Sequence, residues 1–437
     1  MRKVLLSTVA LGLCLLLPGM ALAGAGASAA ITNEQILREL ENNKKIMQEL
    51  EYLRMKVASQ QEHIEDLKSK VEKKGDVSLA NEAIDGLKLK GDLRTRYEIR
   101  DRDYKDSSGR TDIARDRWRT RIRVGGIWDN KVENWQVGAG VASGSNEPTS
   151  TNDTWSQTSP FEHTDINIDY AYAKHKWEDF TFTLGQHENP YKSSWVFWDG
   201  DVRLAGLTGQ FGKKDGLFAT LGGYGAKLVN DDNTSTLVAG QLGYKGKAGE
   251  VKYTVAGGYH TYSTSMINED AALGANAALG LGSVNPDQYE LNIGDLYGDV
   301  TVPVGPANVT FYGQIWQNFG ADGVVGQSQA GSSFPHAPDD ADMGYVIGAD
   351  AKIDKFKLGY AYSLVEADSL FGYLSDSDFG DGLSRTNKRG HRVQLGYSFT
   401  KNWSADLSWL NFERDEDWAS AREDQVDIYQ FDVNYKF

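Results

Sequence analysis

The hydrophobic and polar positions of this chain repeat with two different periods. Residues 33–71 repeat every seven residues, whereas the chain from Leu87 to its end alternates between apolar and polar side chains. A seven-residue repeat is typical of a coiled-coil helix, and alternation is typical of strands with one apolar face. The pattern therefore predicts a helical arm followed by a long all-β region.

The helical segment contains neither Gly nor Pro, and most of its seam positions are apolar. With Leu50 at position a, the a positions are Ile36, Asn43, Leu50, Val57, Ile64 and Val71, and the d positions are Glu39, Ile46, Leu53, Gln60 and Leu67. This pattern predicts a self-associating coiled coil over residues 33–71. A single solvated helix is the alternative. Residues 72–85 are expected to be a linker.

The N-terminal segment has the features of an export signal. Arg2 and Lys3 precede an apolar run from Val4 to Leu17, and residues 21–23 fit an A-x-A cleavage site. Residues 1–23 are therefore predicted to be a signal peptide. The single cysteine, Cys14, lies within it, so the mature chain is expected to contain no thiol or disulfide chemistry.

The alternating stretches of the remaining chain are about ten to fourteen residues long. In one of them, Phe356, Leu358 and Tyr360 alternate with Lys357 and Gly359. Strands of this length suit a tilted membrane crossing. A soluble β-sandwich also alternates, but it does not usually need strands this long or aromatic residues near their ends.

The connections between the stretches alternate between short and long. Short links are expected around Asn130, Glu178, Lys214, Gly246, residues 303–306, Asp354 and Asn402, and long links at 101–114, 144–162, 187–200, 229–235, 264–287, 320–341, 368–387 and 413–423. Short turns on one side and long loops on the other are typical of outer-membrane barrels. Residues 86–437 are thus predicted to form an all-β transmembrane barrel of about 16 antiparallel strands with a water-filled lumen. An even strand number places both ends, and the coiled coil, in the periplasm.

The last residues support the same interpretation. Tyr435 and Phe437 end a strictly alternating apolar face. This ending resembles the C-terminal signal by which outer-membrane barrels are recognised for assembly.

Three further stretches resemble one family of proteins. They are the arginine-alternating segment from Arg115 to Gly125, the segment from Ala142 to Asn152, and Leu184-Gly185-Gln186 with Asn189-Pro190 and Trp198-Asp199. They resemble the second strand, the following loop and the third long loop of the bacterial putative porins. The resemblance implies a trimeric or otherwise oligomeric porin in a Gram-negative outer membrane, in contact with lipid and lipopolysaccharide.

Alternating arginines are the most informative candidate site. On a lipid-facing surface each would cost about 2–4 kcal/mol near the membrane midplane, so they are expected to face the lumen. The predicted pore-lining residues are Arg94, Arg96, Arg115, Arg117, Arg119, Arg121 and Arg123, with Arg100 extending the patch. They could form a wall that attracts anions, or they could neutralise lumenal carboxylates and hold a loop; both interpretations are open.

The third long loop is the candidate constriction, because the resemblance implies that this loop folds into the lumen. It holds Glu188, Lys192 and Asp199, and Asp201 and Arg203 come just past it. An extracellular loop packed by its own aromatic residues is the alternative. The acidic cluster Asp376, Asp378 and Asp381 misses the EF-hand spacing and is expected to lie in a solvated loop.

Composition limits the remaining functions. The formal charge is −15, from 46 basic and 61 acidic residues, which argues against nucleic-acid binding. The seven His are scattered without metal-ligand spacing, and no catalytic motif is present, so no enzyme activity, metal or cofactor is expected. The sequence predicts passive diffusion of small hydrophilic solutes or ions. A structural tether, in which the coiled coil reaches peptidoglycan or a periplasmic partner, is the alternative.

Overall fold

The computed structural model describes eight ranges of the chain. They are residues 33–74, 86–104, 113–230, 233–263, 290–321, 338–381, 385–415 and 424–437. The predicted signal peptide and most of the predicted linker lie outside these ranges. The chain divides into two units, Met1–Gly75 and Asp76–Phe437, and each is described by itself.

The described part of the first unit is a helix, α1, from Asn33 to Lys74. It ends three residues beyond the predicted coiled coil, so residues 72–74 belong to the helix and not to the linker. At about 1.5 Å per residue, its 42 residues span roughly 63 Å. Leu50, Leu53 and Val57 are exposed along it. Among the described residues, no helix is long and apolar enough to cross a membrane.

The second unit is built from long strands. Their bounds are β1 Leu87–Tyr104, β2 Ile113–Asn130, β3 Trp135–Ser143, β4 Ile166–Trp177, β5 Phe180–Glu188, β6 Arg203–Gly212, β7 Gly216–Asn230, β8 Asn233–Ala248, β9 Val251–Tyr262, β10 Asn292–Val304, β11 Ala307–Asn318, β12 Met343–Ile353, β13 Phe356–Val365, β14 Lys388–Ser398, β15 Trp403–Arg414 and β16 Asp424–Lys436. A two-residue segment, Asp153–Thr154, also pairs with β2.

Each strand pairs antiparallel with its neighbours in sequence, and β1 also pairs with β16. The sheet therefore closes on itself without a free edge. In a closed sheet the backbone N–H and C=O groups bond to neighbouring strands, which matters in lipid because lipid offers them no hydrogen-bond partner. Across the described ranges, the closed antiparallel barrel has the 16 long strands that the sequence predicts.

Two predicted links differ from the structure. Only two residues separate β7 from β8, although residues 229–235 were expected to form a long loop. The pairing of these strands shifts register after Gly225 and after Leu228, and such irregularities break the strict alternation that marks a strand in sequence. The turn expected at Gly246 lies at Gly249, whose φ of 63° suits glycine.

The strands expose apolar residues outward and bury a mixed set of side chains inward. Tyr345 and Ile347 of β12 are exposed on the outer face, whereas Val346 between them is buried. Inside the barrel, buried apolar side chains of the wall pack against residues from two long loops, for example Phe197 and Phe379. Side chains thus fill the interior at the end of the barrel with the long loops. The interior at the other end, near the short turns, is polar.

Candidate functional site

The arginines of the adjacent strands β1 and β2 lie side by side on the inner surface of the barrel. Arg94 is the register partner of Arg121, and Arg96 is the register partner of Arg119. Like charges directly opposite each other destabilise a sheet. We call this surface the arginine wall; its members are Arg94, Arg96, Arg100, Arg115, Arg117, Arg119, Arg121 and Arg123. Because it concentrates positive charge, the wall needs carboxylate partners.

Two aspartates on the strands supply part of the counter-charge. Asp92 accepts hydrogen bonds from Arg121 Nη2 and Arg123 Nε, each at 2.8 Å. Asp432 on β16 accepts two from Arg96, at 2.7 Å from Nε and 2.9 Å from Nη2. This bidentate geometry fixes the guanidinium plane as well as its charge.

Glu98 lies at the centre of the arginine wall and is only 1% exposed. Its Oε1 accepts hydrogen bonds from Arg117 Nε at 2.6 Å and Arg115 Nη2 at 3.2 Å. Gln430 Nε2 donates to its Oε2 at 3.2 Å, and Arg119 Nη1 lies 3.8 Å from that oxygen. One buried carboxylate therefore holds several guanidiniums together.

The remaining partners come from the long loop between β13 and β14, residues 366–387, which we call the acidic loop. Arg96 Nη1 donates to Asp378 at 2.8 Å, and Arg100 Nη1 donates to Asp381 at 2.7 Å. Arg115 also bonds Asp381. The expectation that these aspartates lie in a solvated loop is therefore wrong: the arginine wall draws them into the barrel.

The negative charge of Asp378 in the acidic loop fits its position beside the arginine wall. Although burial raises the pKa of Asp378, the nearby Arg96 and Arg119 hold it well below its usual range. The side chain is thus ionised at every physiological pH. Within the described residues, no group of His, Cys, Asp or Glu side chains is arranged to hold a metal ion.

The third long loop, residues 189–202, also lies inside the barrel, where two glutamines fasten its backbone. Gln241 of β8 accepts from Lys192 N and donates to Lys192 O, each at 2.8 Å. Gln314 of β11 accepts from Ser194 N and Oγ, each at 2.7 Å. Each amide thereby replaces hydrogen bonds that the loop backbone would otherwise make with water.

Aromatic residues of the third loop fill the space against the wall. Tyr191, Phe197 and Trp198 surround the His260 ring, with ring centroids 5.1–5.7 Å apart. His260 Nε2 in turn lies 2.9 Å from Asp295 Oδ1. The buried imidazole and carboxylate bond to each other, which lowers the cost of burying either alone.

The third loop and the acidic loop are bonded to each other. Ser375 Oγ donates to Val196 O at 2.9 Å, and Asp199 N donates to Leu374 O at 2.9 Å. Burial, followed by the neighbouring Asp376 carboxylate, raises the pKa of Asp199 to about 9. The raised pKa favours the protonated form of Asp199, which lowers the repulsion where the loops meet.

The loop between β3 and β4 completes the lining of the arginine wall. Asn152 accepts a hydrogen bond from Arg94, and Ser150 Oγ accepts one from Arg119 at 3.2 Å. Thr151 Oγ1 donates to Asp201 at 3.0 Å. These contacts link the second long loop to the third.

The structure separates the five residues predicted for the constriction. Asp201 accepts from Arg123 Nη1 at 3.0 Å and so reaches the arginine wall. Arg203 pairs with Asp169 of β4 at 3.0 Å, and Glu188 is exposed at the end of β5. Lys192 is exposed, whereas Asp199 lies at the junction of the two loops. Of the five, only Asp201 is in a salt bridge with the wall among the described residues.

A cavity of about 900 Å³ lies inside the barrel on the side of the short turns. Arg94, Arg96 and Arg121 of the wall and Asp378 of the acidic loop form part of its lining, and Lys401 of a short turn lies at its rim. We call this cavity the vestibule. Beyond it, the two inward loops narrow the barrel.

The C-terminal residues close the barrel seam. Phe437 N donates to Gly91 O, and Gly91 N donates to Phe437 O, both at 3.1 Å. The Tyr435 and Phe437 rings stack with centroids 6.1 Å apart on the outer face. Phe437 thus extends the ladder between β16 and β1, and its role as an assembly signal stays a prediction.

The family of putative porins matches residues 103–268 of the chain. Over this stretch the chain is similar to the putative porins. It contains strand β2 with five members of the arginine wall, the second long loop and the third long loop, which confirms the resemblance drawn from the sequence. The matched residues end before the acidic loop, so the family match does not cover that loop.

Solved structures also resemble this chain. OprB of Pseudomonas putida has a TM-score of 0.53 and 10% identity, with 80% of this chain and 94% of that chain covered. OmpF of Salmonella typhi, in complex with daunomycin, has a TM-score of 0.47, 14% identity and coverages of 81% and 98%. The likeness to OprB is one of fold. No protein with a curated function matches the chain.

Several residues of the site were not singled out from the sequence. Asp432 was missed, although it falls on the inward side of β16, opposite the apolar face that ends at Phe437. Gln241 and Gln314 were also missed. The available signal was a long amide side chain at an inward position of an otherwise apolar or glycine-rich strand.

We expect the two glutamines to control how firmly the third loop is held. Changing Gln241 and Gln314 to Leu preserves their approximate volume but removes four hydrogen bonds to the loop, at about 0.5–1.5 kcal/mol each. Single-channel recordings should show added current noise and sub-states. Gln394→Leu is the control, because Gln394 bonds Ser408 of β15 at 3.4 Å and not a loop. Equal noise in both variants would contradict this role.

Proposed function

We propose that this chain is an outer-membrane porin of a Gram-negative bacterium that lets small hydrophilic solutes or ions diffuse through a narrow, charged lumen. The observation that carries the proposal is a closed 16-strand barrel whose inner surface holds the arginine wall while its outer surface is apolar. A barrel of this strand number is wide enough for an aqueous channel. The family match adds support from the sequence.

The proposed permeation path runs from the vestibule past the arginine wall. The pore-lining residues are proposed to be Arg94, Arg96, Arg115, Arg117, Arg119, Arg121 and Arg123. Their salt bridges with six carboxylates of the described residues support the proposal that the wall orients solute dipoles and also holds loops in place. Charged groups facing each other across a confined aqueous space act on passing solutes more strongly than exposed charges do.

We expect discrete conductance steps when the purified full-length protein is added to planar lipid bilayers in potassium chloride. A folded barrel is recognised by its different electrophoretic mobility before and after heating. Protein that shows this folded form but no conductance would contradict the porin function. Such a result would favour the tether alternative, which neither the family match nor the fold supports.

The helix α1 is proposed to be a periplasmic coiled coil that strengthens a homo-oligomer, with a trimer implied by the resemblance to porins. Its exposed Leu50, Leu53 and Val57 support this proposal, because apolar seam residues gain free energy when a second helix covers them. Removing residues 33–74 is expected to leave a conducting barrel and a weaker oligomer, measured by cross-linking in detergent. An unchanged oligomer would contradict the role of α1.

A further inference from the structure

The vestibule is positively charged although the chain is acidic. Among the described residues, eight basic and five acidic side chains line it, whereas the whole chain has a formal charge of −15. Among the acidic groups, Asp432 and Asp378 are already bonded to Arg96. The remaining lining therefore contains more cations than its own carboxylates neutralise.

Two lysines of the lining are placed directly against each other. Lys352 of β12 and Lys357 of β13 are register partners on the inner face, beside the short turn at Asp354. Opposed like charges destabilise a strand pair. Among the described residues, no carboxylate lies within salt-bridge distance of either lysine. An anion between them would remove this repulsion.

Arg392 and Arg94 are the two lining arginines with the weakest carboxylate contact. The Arg392 guanidinium stacks on the Trp195 ring at 3.7 Å and forms no salt bridge among the described residues. The nearest carboxylate oxygen to Arg94 lies 3.8 Å away on Asp432, which Arg96 already occupies. Arg94 Nε has no hydrogen-bond partner in the part of the chain that the structure describes.

These cations lie on different parts of the vestibule lining. Lys352 and Lys357 belong to β12 and β13, Arg392 belongs to β14, and Arg94 belongs to β1. Other charged residues also line the cavity. The acidic ones are Asp350, Asp376 and Asp406, and the basic ones include Lys401 and Lys436. A monovalent anion can meet only part of this set, whereas a multivalent anion can contact several cations at once.

We propose that the vestibule is a binding site for small anions that carry two or more negative charges, with Lys352 and Lys357 as its main contacts. This inference rests on the proposed porin function and names the class of solute that the channel retains. The ligand reaches the vestibule from the short-turn side. From the other side it must pass the junction of the third loop and the acidic loop.

The test uses pyrophosphate and the full-length porin in planar bilayers. Pyrophosphate added to one chamber should reduce the potassium chloride current in a saturable manner, and the same concentration in the other chamber should have a weaker effect. Changing both Lys352 and Lys357 to Gln should weaken the block about tenfold, which corresponds to the loss of one hydrogen bond to a charged group.

Lys247→Gln is the matched control. Lys247 lies near a short turn on the same side of the barrel, but it does not line the vestibule and sits 3.9 Å from Asp215. Its replacement should leave the block unchanged. Equal block from both chambers, or equal block in the Lys352/Lys357 variant and the wild type, would overturn the proposal.

A second measurement separates the site from the channel. Calorimetric titration of pyrophosphate into the detergent-solubilised full-length porin reports binding without conduction. Binding that is about tenfold weaker in the Lys352/Lys357 variant supports the site even if the bilayer shows no current, in which case the porin function fails alone. Conductance without pyrophosphate binding would overturn the site and leave the porin function standing.

Discussion

Changing Glu98 to Gln is expected to lower the free energy of unfolding of the barrel by about 3–5 kcal/mol. The glutamine keeps the shape of the side chain but removes the charge that Arg115 and Arg117 share. Its amide group would also present hydrogen atoms to guanidinium donors. Because Glu98 is 1% exposed, water cannot replace the lost carboxylate. The urea midpoint of the folded protein, followed by tryptophan fluorescence in detergent, measures the change.

The control for this prediction is Glu413→Gln. Glu413 accepts from Arg389 at 2.9 Å, a distance similar to those at Glu98, but both side chains are 44% exposed. Exposed ion pairs contribute about 0–1 kcal/mol, so this variant should unfold close to the wild type. Adding Arg115→Gln to Glu98→Gln should recover part of the loss, since it removes one uncompensated cation. Equal effects of the two glutamate replacements would show that Glu98 does not organise the arginine wall.

Much of the barrel could be predicted because its lipid environment imposes a simple rule on the sequence. Each strand must present apolar side chains outward and can present polar ones inward, so Tyr345 and Ile347 alternate with inward residues over the whole strand. The arginines of β2 follow the same rule, because they occupy the inward positions that alternate with the apolar outward ones. Their inward direction could therefore be derived from the cost of placing them in lipid.

The position of the acidic loop could not be predicted in the same way. In the sequence, Asp376, Asp378 and Asp381 have the glycine-rich neighbours of any solvated loop. Arg96, the partner of Asp378, is about 280 residues away from it along the chain, and contact between the two requires the closure of β1 against β16. Local patterns contain no information about such a contact. Only the surplus of arginines on β1 and β2 indicated that carboxylates had to come from elsewhere.

The sequence left two interpretations of the arginines open, and the contacts connect them. Salt bridges to Asp92, Asp378 and Asp432 show that the arginine wall binds lumenal carboxylates and a loop. Its attraction for anions is correspondingly reduced at the wall itself. Lys352 and Lys357, the cations without carboxylate partners among the described residues, line the vestibule on the side of the short turns. Sequence reasoning did not single out these two lysines. Anion preference is thus expected to originate mainly in the vestibule.

Changing Asp378 and Asp381 together to Asn is expected to release the acidic loop from the arginine wall. Each aspartate accepts charge-assisted hydrogen bonds, worth about 1.5–3 kcal/mol apiece, so docking of the loop should weaken by about 3–6 kcal/mol. The ratio of released to docked loop would then rise roughly 10²–10⁴-fold. Single-channel conductance should increase because the loop no longer narrows the lumen, and the reversal potential in unequal salt should shift towards anions because two negative charges are lost.

Cysteine labelling can report the release directly. Ser375 of the acidic loop is fully buried, and the predicted mature chain contains no other thiol. Ser375→Cys should resist a maleimide reagent in the otherwise wild-type protein and react readily when Asp378 and Asp381 are Asn. Asp339→Asn is the matched control, because Asp339 is an exposed acid of another long loop and should change neither conductance nor labelling. If the double variant remains folded, conducts as the wild type does and leaves the thiol protected, the salt bridges of Asp378 and Asp381 do not hold the acidic loop, because its packing against the barrel interior suffices without them.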